Sequence, residues 1–210
     1  MSWIKTFALA PIFRCLGKPP GLERLASHLI PMAGFPPDYC RVVTLDGFQV
    51  RVWPRSRIGW SLFCFGTYEP GLQRLFRRYV SAGSTVVEVG ANVGWHTLML
   101  SRLVGPGGRV HAFEPNPAIH RELRSNLGLN VCSNVTPWEV ALSSEPGSAV
   151  FQAYGVADPH AGDSHIVRPA CEAKRQGEER ECVEVKVAAL DTLPLDLKSL
   201  DFMKIDVEGF

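Results

Sequence analysis

Between Thr85 and Val140 the sequence alternates between strand and helix periods, and that alternation limits the folds open to the chain. Thr85–Val89 is a short run of β-branched apolar residues, and Thr97–Val104 has helical spacing that stops at Gly105–Pro106–Gly107–Gly108. Arg109–Phe113 reads as a second strand. Ala118–Leu129 reads as a second helix, opened by Pro117 one residue after Asn116, a suitable N-cap. Val135–Val140 reads as a third strand. Strands joined through helices pair in parallel by right-handed crossovers, with the helices covering the sheet faces. The expected fold class is α/β, a doubly wound, mostly parallel sheet.

The flanks add to this unit. Residues 1–40 are rich in Pro and Gly, with one short helical stretch at Leu22–Leu29, and read as an irregular lead-in. Residues 41–82 read as N-terminal strands and a helix packed on the core. Two strands surround a turn at Asp46–Gly47 within Cys40–Trp53, and Leu72–Tyr79 forms a helix with Leu72, Leu75, Phe76 and Tyr79 on one face. Residues 83–210 form the main domain. Within it Ala149–Ala153 and Val183–Val187 read as a pair of added strands, separated by Tyr154–Cys182, a stretch long enough to be a lid or a disordered segment. Asp201–Asp206 reads as a further core strand.

Composition excludes several classes. Apolar residues make up 46% and charged residues 20% of the 210, which is globular and not disordered. The longest stretch without a charged residue, Ser125–Trp138, is 14 residues and falls short of the roughly 20 needed to cross a bilayer. With no transmembrane segment and no signal-peptide pattern, a cytoplasmic location is expected. The six cysteines show no metal-ligand spacing, so no metal is expected. Net charge is +1, with 11 basic and 4 acidic groups in residues 1–82 against 11 and 17 in residues 83–210. The basic front segment suits either an anionic partner or the acidic remainder of its own chain.

Chemistry concentrates in Val86–Thr97, VVEVGANVGWHT, at the C-terminal end of the first parallel strand, where open α/β sheets bind ligands. Gly90 and Gly94 allow a sharp turn and close approach, and Glu88 precedes the first glycine by two residues. A dinucleotide fingerprint would need glycine where Asn92 and Trp95 stand, and the turn contains no Lys or Arg to hold a triphosphate. A ligand without phosphate fits. Glu114, ending the next strand, is placed to accept hydrogen bonds from the two hydroxyls of a ribose.

Taken together, Val86–Thr97, HAFEPNP (His111–Pro117), NVTPWEVALSSEPG (Asn134–Gly147), LDTL (Leu190–Leu193) and DFMKIDVEG (Asp201–Gly209) resemble the FkbM-type S-adenosylmethionine-dependent methyltransferases, as does GTYEP (Gly66–Pro70). The resemblance runs from about residue 45 to the last residue. It implies a Rossmann-like class I methyltransferase fold whose later C-terminal strands are missing from this sequence. It also implies S-adenosyl-L-methionine as cofactor and methyl transfer to a hydroxyl of a sugar, glycan or polyketide-like small molecule. By that resemblance Glu88, Gly90, Ala91, Asn92 and Gly94 surround the methionine end of the cofactor, and Glu114 holds the ribose. Ala141 and Leu142 lie near the adenine, and Asp206 lies near the sulfonium methyl. Tyr68 and Glu69 line the cofactor or acceptor pocket.

A hydroxyl nucleophile gains about 10²–10⁴-fold from a general base, and Asp206, Glu208 and His96 are the catalytic candidates. The alternatives are an inactive, truncated methyltransferase-like binding protein and an RNA methyltransferase. No nucleic-acid module is recognisable, so nucleic acid is not expected, and the small-molecule or glycan acceptor is what the resemblance implies. Oligomeric state is left open.

Overall fold

The computed structural model describes residues 39–158, 165–166, 181–195 and 199–207. These divide into two compact units, residues 39–70 with 156–158, and residues 71–155 with 165–166, 181–195 and 199–207. The lead-in with its helical stretch at Leu22–Leu29, Glu208, and most of Tyr154–Cys182 lie outside the described residues.

In the first unit, strands β1 (Cys40–Val43) and β2 (Gln49–Val52) pair antiparallel around a turn in which Gly47 has φ 81°. Gly47 N donates to Thr44 O, closing the turn. Helix α1 (Arg57–Phe65) follows, which the sequence reading left unassigned. Ser56 caps it by accepting from Gly59 N at 3.1 Å, and Gly66, at φ 69°, ends it. Val42, Phe48, Val50, Val52 and Leu62–Phe65 are buried.

Helix α2 (Pro70–Tyr79) lies in the second unit from Gly71 on. Its buried residues are Gln73 and Phe76, while Leu75 and Tyr79, expected on the covered face, are exposed. The helix is rotated so that the Phe76 ring meets the edges of His96 (5.4 Å) and Phe202 (5.8 Å).

The main sheet contains β3 (Thr85–Val89), β4 (Arg109–Phe113), β5 (Val135–Trp138) and β10 (Phe202–Ile205), all parallel, in the order β10-β3-β4-β5. Helix α3 (Trp95–Val104) connects β3 to β4, and α4 (Pro117–Leu129) connects β4 to β5. Asn116 caps α4, accepting from Ala118 N and Ile119 N, and its Nδ2 donates to Tyr154 O at 3.0 Å. The core is Val86, Val87, Leu98, Met99, Leu100, Val104, Val110, Ala112, Phe113, Ile119 and Leu123. Pro137 is accommodated because β5 pairs with β4 alone among the described strands.

A second sheet has the order β6-β9-β7-β8, formed by β6 (Ala141–Leu142), β7 (Gly147–Ala153), β8 (His165–Ile166) and β9 (Glu181–Ala188). The two added strands expected from the sequence are present as β7 and β9, and they pair antiparallel around Phe151, Ala153 and Val185. Among the described residues no helix is long and apolar enough to cross a membrane.

The strand order fixes where a ligand can go. From β3 the chain moves through α3 to β4 on one side, whereas β10 lies on the other side of β3. The C-terminal ends of β3 and β10 therefore flank the topological switch point, where a crevice opens in sheets of this kind.

Candidate active site

The turn after β3 is held in a single shape by its own backbone. Gly90 N and Ala91 N both donate to Phe113 O at 3.0 and 2.9 Å, and Gly94 N donates to Ala91 O at 3.0 Å. Asn92, at φ 50°, gives its N–H to Glu114 Oε2 at 2.9 Å, and Val93 N donates to Asn92 Oδ1 at 2.8 Å. From α4, the fully buried Asn126 donates its Nδ2 to Val93 O at 2.8 Å. Five successive amides are thus bonded inside the protein. A phosphate-binding turn keeps such amides for its ligand, and this one does not.

Gly90 is required on two counts. Its φ is 78°, and a Cβ there would land on the carbonyl oxygen of Asp206, well inside contact distance. Gly94, at φ 88°, opens α3 with no side-chain cap, and its missing Cβ makes room for Leu123.

Four ionisable groups converge on this end of the sheet. Glu88 is fully buried, and its Oε2 accepts from Thr97 Oγ1 at 2.6 Å. Its Oε1 lies 3.4 Å from the ammonium of Lys204, itself only 7% exposed. Burial pushes the Glu88 carboxyl above its ordinary range, and Lys204 and Thr97 oppose that rise. Lys204 Nζ also lies 3.3 Å from Asp206 Oδ2 and donates to Gly90 O at 3.2 Å. The Asp206 side chain is 63% exposed, at the mouth of the switch point.

Glu114 is buried just past β4, each oxygen accepting one backbone amide: Oε2 from Asn92 N and Oε1 from Asn116 N at 3.0 Å. Burial raises its pKa from 4.5 to about 7, with the two amides pulling the other way.

The predicted site residues separate into groups. Gly90, Ala91, Asn92, Gly94, Glu114 and Asp206 come together at the switch point, and Glu88 lies beneath the turn and faces inward. His96 is buried against the Phe76 ring, and burial, with the Lys204 charge, lowers its pKa to about 3. Ala141 and Leu142 form β6 of the second sheet, where Ala141 packs with Phe151, Ala153 and Val185. Tyr68 and Glu69 belong to the first unit; both are half-buried, and Glu69 has φ 48°. Among the described residues no cluster of His, Cys, Asp or Glu could hold a metal ion.

Sequence reasoning passed over Lys204. The signal was present: alternation along Phe202-Met203-Lys204-Ile205-Asp206 puts the lysine on the same face as Phe202, a charge where an apolar residue is the default.

Residues 88–210, more than half of the chain, match the family model described as the Methyltransferase FkbM domain. No curated protein matches. Among solved structures the chain is similar to a putative rRNA methylase from Clostridium thermocellum, at 20% identity over 48% of this chain and 57% of that one, with a TM-score of 0.35. It is also similar to fibrillarin from Aeropyrum pernix with natively bound S-adenosyl-L-methionine, at 22% identity over 33% and 31%, with a TM-score of 0.29. The matched part spans 57% of the first of these structures and 31% of the second. The family match begins at Glu88 and takes in the glycine turn, Glu114, Lys204 and Asp206, and the chain belongs to the FkbM methyltransferase family.

Proposed function

We propose that this chain transfers the methyl group of S-adenosylmethionine to a hydroxyl oxygen of a sugar, glycan or polyketide-like small molecule, at the switch point between β3 and β10. The observation that carries this reading is the glycine turn with its amides already bonded internally and carboxyl groups on either side. Such a cradle suits a ligand that brings a ribose diol and a positive centre and no phosphate. When bound, the cofactor supplies an electrophilic methyl carbon on a sulfonium.

The residues present fit that group. Each Glu114 oxygen accepts one backbone amide, from Asn92 N and Asn116 N, and so keeps an acceptor site for a ribose hydroxyl. Gly90, Ala91, Asn92 and Gly94 would lie along the methionine end, with Glu88 supporting the turn from below. Asp206, exposed at the mouth, would accept the proton of an acceptor hydroxyl, worth about 10²–10⁴-fold. Holding that hydroxyl in line with the methyl group supplies much of the remaining acceleration.

The test is isothermal titration of the folded chain with S-adenosylhomocysteine, beside Glu114→Ala. Saturable binding is expected, weakened at least about tenfold by the substitution, because charge-assisted hydrogen bonds to the ribose are worth about 1.5–3 kcal/mol each. A folded chain that takes up no S-adenosylhomocysteine would refute the reading.

A further inference from the structure

The Lys204 ammonium stands among three oxygens, one for each of its protons: Gly90 O at 3.2 Å, Asp206 Oδ2 at 3.3 Å and Glu88 Oε1 at 3.4 Å. It thereby joins the end of β10 to the end of β3 and to the glycine turn. Stability alone does not call for this arrangement, since a buried ion pair seldom outperforms well-packed apolar residues of the same size. The cluster carries two carboxylates and one ammonium, a net charge of one negative unit, beside the place where the proposed cofactor brings a single positive charge.

We propose that Lys204 is a positioning residue that fixes the charge of this cluster: it keeps the buried Glu88 ionised and tethers Asp206, so that the cleft presents one net negative charge and distinguishes the sulfonium cofactor from its uncharged by-product. The proposal rests on the cofactor assignment above. S-adenosylmethionine and S-adenosylhomocysteine differ by one methyl group and one charge, so the ratio of their affinities reads the charge of the cleft. Contacts to the ribose, adenine and amino-acid portions cancel from that ratio.

Glu88 is faced by Lys204 and Asp206 from β10 and the residue after it, by Thr97 on α3, and more distantly by Glu114 past β4. Glu114, with its pKa raised to about 7, carries a titrating charge coupled to the same cluster; it moves the ratio of the parent and of each variant alike, so the quantity read is each variant's ratio relative to the parent's at the same pH. One unit of charge within about 12 Å of the sulfonium, at an effective dielectric constant of about 20, changes the ratio about tenfold.

The experiment is titration of the full chain, Lys204→Met and Asp206→Asn with both ligands at several pH values from 6 to 9. Lys204→Met removes the cation that keeps the proton off Glu88. Its affinity ratio, taken relative to the parent's at the same pH, should climb about tenfold toward high pH as Glu88 ionises, and adding Glu88→Gln should flatten that climb. Asp206→Asn leaves the core intact and should lower the ratio about tenfold at every pH. A folded Lys204→Met whose ratio follows the parent at every pH overturns the proposal. If Lys204→Met does not fold, Asp206→Asn decides alone, and a ratio equal to the parent's overturns it. Failure of the parent to bind either ligand would instead overturn the cofactor assignment, so the two failures are distinguishable.

Discussion

Three glycines of the second unit share the left-handed backbone and differ in what a methyl group would meet, which makes alanine substitution a graded test of the site. At Gly83, φ is 86° and nothing lies within 4 Å of the added Cβ. Gly83→Ala should show backbone strain alone, about 1–2 kcal/mol, partly offset by about 0.4–1 kcal/mol from the stiffer unfolded chain. At Gly94 the strain is the same, and the Cβ would sit 2.6 Å from Leu123 Cδ1, a side-chain end that can rotate. Overpacking adds about 1 kcal/mol there. At Gly90 the obstacle is the carbonyl oxygen of Asp206, with its carbon at 3.0 Å. That backbone can retreat only by breaking the bond from Asp206 N to Val89 O and the contact to Lys204. The expected order of destabilisation is Gly83 below Gly94 below Gly90, with Gly90→Ala costing about 3–4 kcal/mol in total. Urea denaturation of the three variants measures the order directly. A Gly90→Ala protein within about 1 kcal/mol of Gly83→Ala would refute the argument that the turn is built against β10.

Two further predictions concern the buried carboxyls. Thr97→Val deletes the 2.6 Å donor to Glu88 and should cost about 1.5–3 kcal/mol. Burial raises the folded-state pKa of Glu88 and Thr97 opposes that rise, so without Thr97 the folded protein ionises Glu88 at a greater cost than the parent does. The loss should therefore be larger at pH 8 than at pH 5.5 by urea denaturation, and a loss independent of pH would contradict it. Glu114, raised from 4.5 to about 7, should make the parent lose up to about 3 kcal/mol of stability as pH climbs through that window, with no further loss above it. Glu114→Gln should abolish that part of the slope, which a comparison of the two proteins across pH 4–8 would reveal.

The main sheet was legible because its punctuation is local. Asn116–Pro117 starts α4, Gly105 stops α3, and the β-branched run Thr85–Val89 has one plausible partner on each side once parallel crossovers are assumed. Helix α1 was not legible: the run Ile58–Phe65, apolar but for Gly59 and Ser61, hides a 3.6-residue period, and Ser56 and Gly66 were the cues to its ends. At the site, the glycine turn and Glu114 could be placed by counting from strand ends. The burial of His96 could not, because the ring that covers it, Phe76, lies on a helix ahead of the sheet. Lys204 escaped for the same kind of reason, since its acceptors Glu88 and Gly90 precede it by more than a hundred residues and their position depends on the completed sheet.

That separation has a kinetic consequence. Strands β3, β4 and β5 are joined by short βαβ connections and can assemble from neighbouring sequence, whereas β10 docks on β3 across a loop of more than a hundred residues, anchored by Thr85 N to Asp201 Oδ2 at 2.7 Å. Closing so long a loop is slow even though its entropy grows only logarithmically with length. The wall of the crevice that carries Lys204 and Asp206 is therefore expected to form late in folding and to open early on local unfolding. Slow hydrogen exchange in β3 and β4 should accompany faster exchange in β10, and a ligand held between the two walls would close that gap.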